Sequence, residues 1–143
     1  MPPTYIELQN VSKTYQSKDG LVAAVNDVSF AIGEAEFIAI VGPSGCGKTT
    51  ILKMIAGLVP YSSGTITING QRIHGPHTDL GIVFQDAVLL DWRDVLENVL
   101  LQIDIRRLAR ATYEPLAREL LTRTGLAGFE RKYPFELSGG MKQ

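Results

Sequence analysis

At 143 residues the chain is long enough for one domain with its own hydrophobic core. Apolar residues make up 45% and charged residues 20%, a balance that excludes a disordered chain. Lys plus Arg number 14 against 15 Asp plus Glu, so the basic excess of a general nucleic-acid binder is absent. The single cysteine, Cys46, excludes an intrachain disulfide and fits a reducing cytoplasm.

The start, Met1-Pro2-Pro3-Thr4, lacks the basic and apolar regions of a secretion signal. No apolar run approaches the roughly 20 residues that span a bilayer. The expectation is a protein that reaches a membrane only through an embedded partner.

In chain order, Ile6 and Leu8 alternate with Glu7 and Gln9, the period of a half-buried strand. Ser17-Lys18-Asp19-Gly20 reads as a turn, and Leu21–Val25 and Val28–Ile32 as two further strands ending near Gly33-Glu34. These form a small antiparallel sheet. Phe37–Val41 is continuously apolar, which predicts a strand buried on both faces of a parallel sheet. Lys48–Ala56 carries Ile51, Leu52, Ile55 and Ala56 at helical spacing, with Gly57 as its C-cap. Thr65–Ile68 followed by Asn69-Gly70 predicts a hairpin. Leu80–Phe84 is a second buried-strand candidate. Val95, Val99, Ile103 and Leu108 predict one helix, and Leu116, Leu120 and Leu121 after Pro115 a second that ends at Gly125. His74 and His77, in a Gly/Pro-containing loop, fit no metal site and read as surface residues.

Gly42-Pro43-Ser44-Gly45-Cys46-Gly47-Lys48-Thr49 fits G-x-x-x-x-G-K-[ST] completely. Glycines let the backbone curl around an anion. Successive N–H groups then form a nest, to which the following helix adds its positive end. Lys48 supplies charge to the β- and γ-phosphates, Thr49 offers a hydroxyl to Mg²⁺, and Thr50 can reach the α-phosphate. Cys46 occupies a free position of the motif. The nucleotide expected is ATP with Mg²⁺. A phosphate loop alone leaves kinases, GTPases and motor ATPases open.

Leu137-Ser138-Gly139-Gly140-Met141-Lys142-Gln143 resembles the LSGGQ-type signature of ABC transporter ATPases. Phe84-Gln85 looks like that family's Q-loop, and Tyr15 sits where the family places its adenine-stacking aromatic. Ile55-Ala56-Gly57-Leu58 followed by Ser63-Gly64 is also similar to the family. Gly75-Pro76 before Asp79, Val83-Phe84-Gln85 and Leu89-Leu90-x-Trp92-Arg93-x-Val95-x-x-Asn98-Val99 resemble the nitrate/sulfonate/taurine importer group. That group usually has proline where Asp91 stands here.

The resemblance implies an α/β fold: an incomplete RecA-like P-loop NTPase core with an N-terminal antiparallel β-subdomain and a helical subdomain. The implied division assigns 1–36 and 60–75 to the β-subdomain, 37–59 and 76–86 to the core, and 87–143 to the helical subdomain. It implies a transport-coupled ATPase working as a head-to-tail dimer, in which Ser138, Gly139 and Gly140 meet the γ-phosphate held by the second ATPase subunit. Gln85 would approach Mg²⁺ and the attacking water, and Trp92 the surface that meets a permease. Transmembrane permease subunits, and indirectly a periplasmic solute-binding protein, are the further partners implied; nucleic acid is not one. The implied location is the cytoplasmic face of the inner membrane.

No apolar run ending in Asp-Glu occurs in the 143 residues, and no histidine follows the signature. Family members use those residues for hydrolysis, so the chain alone is expected to bind nucleotide without useful turnover. It reads either as a fragment of a longer product or as a natural truncation. The alternative function is a nucleotide-binding module in a structural or regulatory role. Poor solubility is expected of strands that lack neighbours.

Overall fold

A computed structural model describes residues 3–18 and 20–143. Met1 and Pro2 of the start segment, and Asp19 of the expected turn, lie outside the described residues. The chain divides into two units, the first ending at Ile82 and the second running from Val83 to Gln143.

The first unit is built on a four-stranded antiparallel sheet. Strands β1 (Thr4–Ser17) and β2 (Gly20–Gly33) form a long hairpin, and β3 (Ser63–Ile68) and β4 (Gln71–Arg72) a short one, in the order β2-β1-β3-β4. Two separate strands were expected between 21 and 32, whereas β2 runs on through bulges. Asn10 and Asp27, both with φ 49°, sit at one irregularity. Their side chains bond each other (Asn10 Nδ2 to Asp27 Oδ1, 2.9 Å), and the Ser12 and Ser29 hydroxyls accept the Asp27 and Asn10 amides. Side-chain bonds thus replace the ladder where it breaks, and the strand bends without ending.

A second irregularity matters more. Lys13 pairs with Val25 and Thr14 with Ala23, so Ala24 has no register partner. Its carbonyl is the closest neighbour of the space a side chain at Gly47 would fill. The hairpin at Asn69-Gly70 forms as expected, with φ 48° and 72° at the two turn residues. Positive φ at both positions matches the right-handed twist of the strands.

Helix α1 (Lys48–Ile55) lays Ile51, Met54 and Ile55 on the sheet, against Leu8, Val11, Val25, Ile66, Ile68 and Ile73. It ends as expected at Gly57, with φ 70°. The Gly57 amide bonds the Met54 carbonyl and the Leu58 amide the Lys53 carbonyl, at 3.0 and 2.9 Å, a Schellman closure. A Cβ at Gly57 would collide with the Gly75 carbonyl, so this glycine serves both backbone angle and packing.

Neither Phe37–Val41 nor Leu80–Phe84 forms a strand. Phe37 is 92% exposed, Val41 91% and Val83 87%. The burial expected from their apolar composition is not found, because strand geometry needs a neighbour to take up backbone N–H and C=O groups. Among the described residues no strand pairs with either segment.

The second unit is helical: α2 (Val95–Val99), α3 (Leu101–Ile105), α4 (Arg110–Arg123), a 3₁₀ turn (Pro134–Glu136) and α5 (Gly139–Lys142). The single helix expected over Val95–Leu108 is broken at Leu100, whose φ and ψ of −83° and 0° leave the helical region. Helix α4 starts upstream of Pro115, which lies within it. It closes on Gly125 (φ 78°), again with Schellman bonds, Gly125 amide to Thr122 carbonyl and Leu126 amide to Leu121 carbonyl. Val95, Leu96, Leu100, Ala117, Leu121 and Leu137 form its core.

Asp94, 5% exposed, holds the entrance to this core. Its carboxylate accepts the Glu97 amide (2.8 Å) while Glu97 accepts the Asp94 amide (3.2 Å), a complete capping box. Arg131 adds an ion pair at 3.2 Å. Asp94→Ala removes the cap and strands the Glu97 amide, and should cost about 1–2 kcal/mol of stability. Chemical denaturation followed by circular dichroism measures it; an unchanged midpoint would refute this role of Asp94. The unpaired apolar segment makes a separate prediction: sedimentation velocity should show concentration-dependent self-association, reduced in Phe37→Asp/Val41→Asp. A monodisperse monomer would refute it.

Candidate functional site

The loop expected to cradle phosphate lies between Val41 and α1. Gly45 and Gly47 take φ of 80° and 94°, values that side chains disfavour. Gly47 is the N-cap of α1, and no side chain caps the helix. The first amide to find a helical partner is that of Ile51, which bonds the Gly47 carbonyl at 2.9 Å. The amides of the first turn therefore face outward with the helix dipole behind them, an arrangement that attracts anions.

Lys48 bends back over the loop. Its Nζ donates to the carbonyls of Gly42 (2.8 Å) and Pro43 (2.6 Å) and approaches Cys46 Sγ at 3.6 Å. The ammonium is thus held at the mouth of the loop by weak neutral acceptors, which an anionic oxygen would readily replace. Cys46 Sγ fills the space a Cβ on Gly42 would need, so the thiol packs the inner curve of the loop. Ser44 and Gly45 form the exposed turn at its tip, and Thr50 is half-buried on α1.

Thr49, also on the first turn of α1, is exposed. Among the described residues no cluster of three or more His, Cys, Asp or Glu could hold a metal. A hydroxyl is nonetheless a suitable donor for Mg²⁺, which prefers oxygen and takes most of its ligands from phosphates and water. The residues present therefore fit Mg²⁺ as a companion of the nucleotide and not as a resident ion.

Tyr15 lies on β1 opposite Val22, in the same unit as the loop. It is 40% exposed, and the Lys13 ammonium stands 4.9 Å from its ring centroid. Gly47 packs on Ala24 and Val25, two and three residues along β2 from Val22.

The remaining expected site residues belong to the second unit. Gln85 is exposed and does not close a strand, contrary to expectation. Its carbonyl accepts the Gln143 side chain at 2.7 Å, which ties it to the end of the signature segment. Ser138 is the N-cap of α5, its hydroxyl accepting the Met141 amide at 3.3 Å, with Gly139 and Gly140 exposed in the first turn. The turn before it is fixed by Glu136, which takes the Lys132 ammonium (2.8 Å) and the Tyr133 amide (2.7 Å). Those two partners hold its carboxyl below the usual carboxylate range.

Sequence reasoning missed Asn98 as a structural clamp. Its amide donates to the carbonyls of Leu90, Arg93 and Asp94 at 2.9–3.1 Å and accepts the Leu90 amide at 2.8 Å. This pins the loop that carries Trp92, which is 74% exposed. Asn at the fourth residue after Asp94 was the available signal, since it places a bifunctional amide over the preceding turn.

Comparison with known proteins shows the family. The family profile described as ABC transporter matches residues 25–143. The chain is 40% identical over 135 residues to the taurine import ATP-binding protein TauB of Burkholderia pseudomallei, covering 94% of this chain and 52% of that protein. It is 37% identical over 138 residues to an uncharacterized ABC transporter ATP-binding protein of Methanocaldococcus jannaschii, covering 96% and 52%. The chain thus spans about half the length of these relatives.

Among solved structures it superposes on a bacterial ABC transporter cassette, solved as a dimer, with a TM-score of 0.85 and 31% identity, over 96% of this chain and 65% of that one. A dimeric post-hydrolysis ATP-binding cassette bound to ADP and Pi gives a TM-score of 0.83 at 30% identity, with the same coverage. The fold class is therefore that of the α/β P-loop NTPase cassettes, and the chain belongs to the ABC transporter family.

Proposed function

We propose that these residues are the nucleotide-binding portion of the energy-coupling ATPase subunit of an importer for a small anionic solute of the nitrate, sulfonate or taurine type. The observation that carries this reading is the cradle itself. Gly45 and Gly47 are left-handed, the head of α1 is uncapped, and Lys48 is poised on the Gly42 and Pro43 carbonyls. Gly42 to Thr50 would wrap the phosphates, Lys48 would neutralise the β- and γ-oxygens, and Thr49 would join Mg²⁺. Bound Mg²⁺ would draw charge off the terminal phosphates. The resemblance to taurine import proteins supports the solute class.

Ser138, Gly139 and Gly140 would complete the site of a second ATPase subunit, a role suited to small residues opening a helix. Gln85 would approach Mg²⁺ and the attacking water. The dimeric state of the matched cassettes supports the paired arrangement. Permease subunits and a periplasmic binding protein would be the further partners, and peripheral attachment at the cytoplasmic face of the inner membrane the location. No described helix is long and apolar enough to cross a membrane.

The alternative reading is a nucleotide-binding module without turnover, in a structural or regulatory role.

Two measurements test the two readings. Fluorescent ATP-analogue titration should show Mg²⁺-dependent binding that falls at least tenfold in Lys48→Ala, since a charge-assisted contact contributes about 1.5–3 kcal/mol. Gly47→Ala should weaken binding comparably, because the new methyl meets the Ala24 carbonyl at a φ that costs roughly 1–2 kcal/mol by itself. Equal affinity in both variants would remove the cradle assignment. Phosphate release by the chain should stay at the buffer blank; turnover like that of an intact transport ATPase would sink the second reading.

A further inference from the structure

The Lys13 ammonium lies over one face of the Tyr15 ring, 4.9 Å from its centroid. Lys13 and Tyr15 stand two residues apart on β1, opposite Val25 and Val22 of β2, and so share one face of the strand. The Ala24 carbonyl of the same β2 segment is the nearest neighbour of Gly47 in the phosphate loop.

A cation over an aromatic face is attracted by the ring quadrupole and restricts the ring's rotamers. Tyr15 is 40% exposed, so it is held from one side while still open to solvent. A flat heteroaromatic base stacks on a ring that is already fixed, and loses less entropy than on one that must be ordered.

We propose that Lys13 is a positioning residue for the nucleotide base, acting through Tyr15 and not through the phosphates. The proposal rests on the base-stacking reading of Tyr15. It predicts that Lys13 contributes to the affinity of nucleosides and not to that of the polyphosphate alone. An exposed cation–π contact corresponds to about a two- to fivefold effect on affinity. Stacking of the base itself corresponds to about tenfold.

The test is isothermal titration of the chain with MgATP and, separately, with Mg-tripolyphosphate, which has the phosphates but no base. Lys13→Met should weaken ATP about two- to fivefold and leave tripolyphosphate unchanged. Unchanged tripolyphosphate binding also reports that the loop is folded in the variant. Lys13→Arg, which keeps a cation able to cover the ring, should retain wild-type ATP affinity. In the Tyr15→Ala background, Lys13→Met should have no further effect. An equal loss for both ligands would make Lys13 a general phosphate attractant and overturn the proposal. So would additive losses in the double variant. If Tyr15→Ala weakens ATP alone but Lys13→Met does not, the positioning role fails while base stacking stands. If Tyr15→Ala leaves the ratio of ATP to tripolyphosphate affinity unchanged, base stacking fails and the positioning role with it.

Discussion

The contact between Gly47 and the Ala24 carbonyl is the constraint on which the first unit depends. It lets the head of α1 approach β2 more closely than any side chain would allow. From that approach follow the outward-facing amides of the first turn and the packing of Ile51, Met54 and Ile55 on the sheet. Glycine is needed twice over, for φ of 94° and for the missing Cβ. The uncapped head of α1 and the hydrophobic core are consequently set by one close approach, and neither could shift without the other.

The far end of α1 repeats the theme. Gly57 closes the helix and lies against the Gly75 carbonyl, while the His77 amide bonds the Ala56 carbonyl at 3.1 Å. The segment 75–77 is thereby fastened to the last turn of the phosphate-loop helix. A displacement of α1 along its axis would be passed to this segment, because backbone-to-backbone contacts have little room to yield.

Much of this was legible in the sequence. The glycine-rich turn before α1, the start of α1, its glycine stop, the Asn69-Gly70 hairpin and the Gly125 stop each have a local cause, and local causes are visible in short windows. The signature serine was found by resemblance; its role as N-cap of α5 follows from its hydroxyl. What escaped depends on partners distant in the chain. Phe37–Val41 has the composition of a buried strand, but composition states what a segment would bury and not whether a neighbour is present. The bulge at Ala24 depends on register between β1 and β2, which no window of either strand contains. Leu100 interrupts a pattern that is helical on both sides, and Pro115 lies inside a helix it was expected to precede.

The clamp formed by Asn98 has an optical consequence. Trp92 is the single tryptophan of the chain, and it stands on a loop anchored to the entrance of α2 within the second unit. Indole emission therefore reports the surroundings of one loop of the second unit, while Tyr5, Tyr15 and Tyr61 belong to the first. Melting curves recorded by tryptophan emission and by backbone dichroism therefore weigh the chain differently: one has a single reporter on the loop that Asn98 clamps, the other sums over every peptide group.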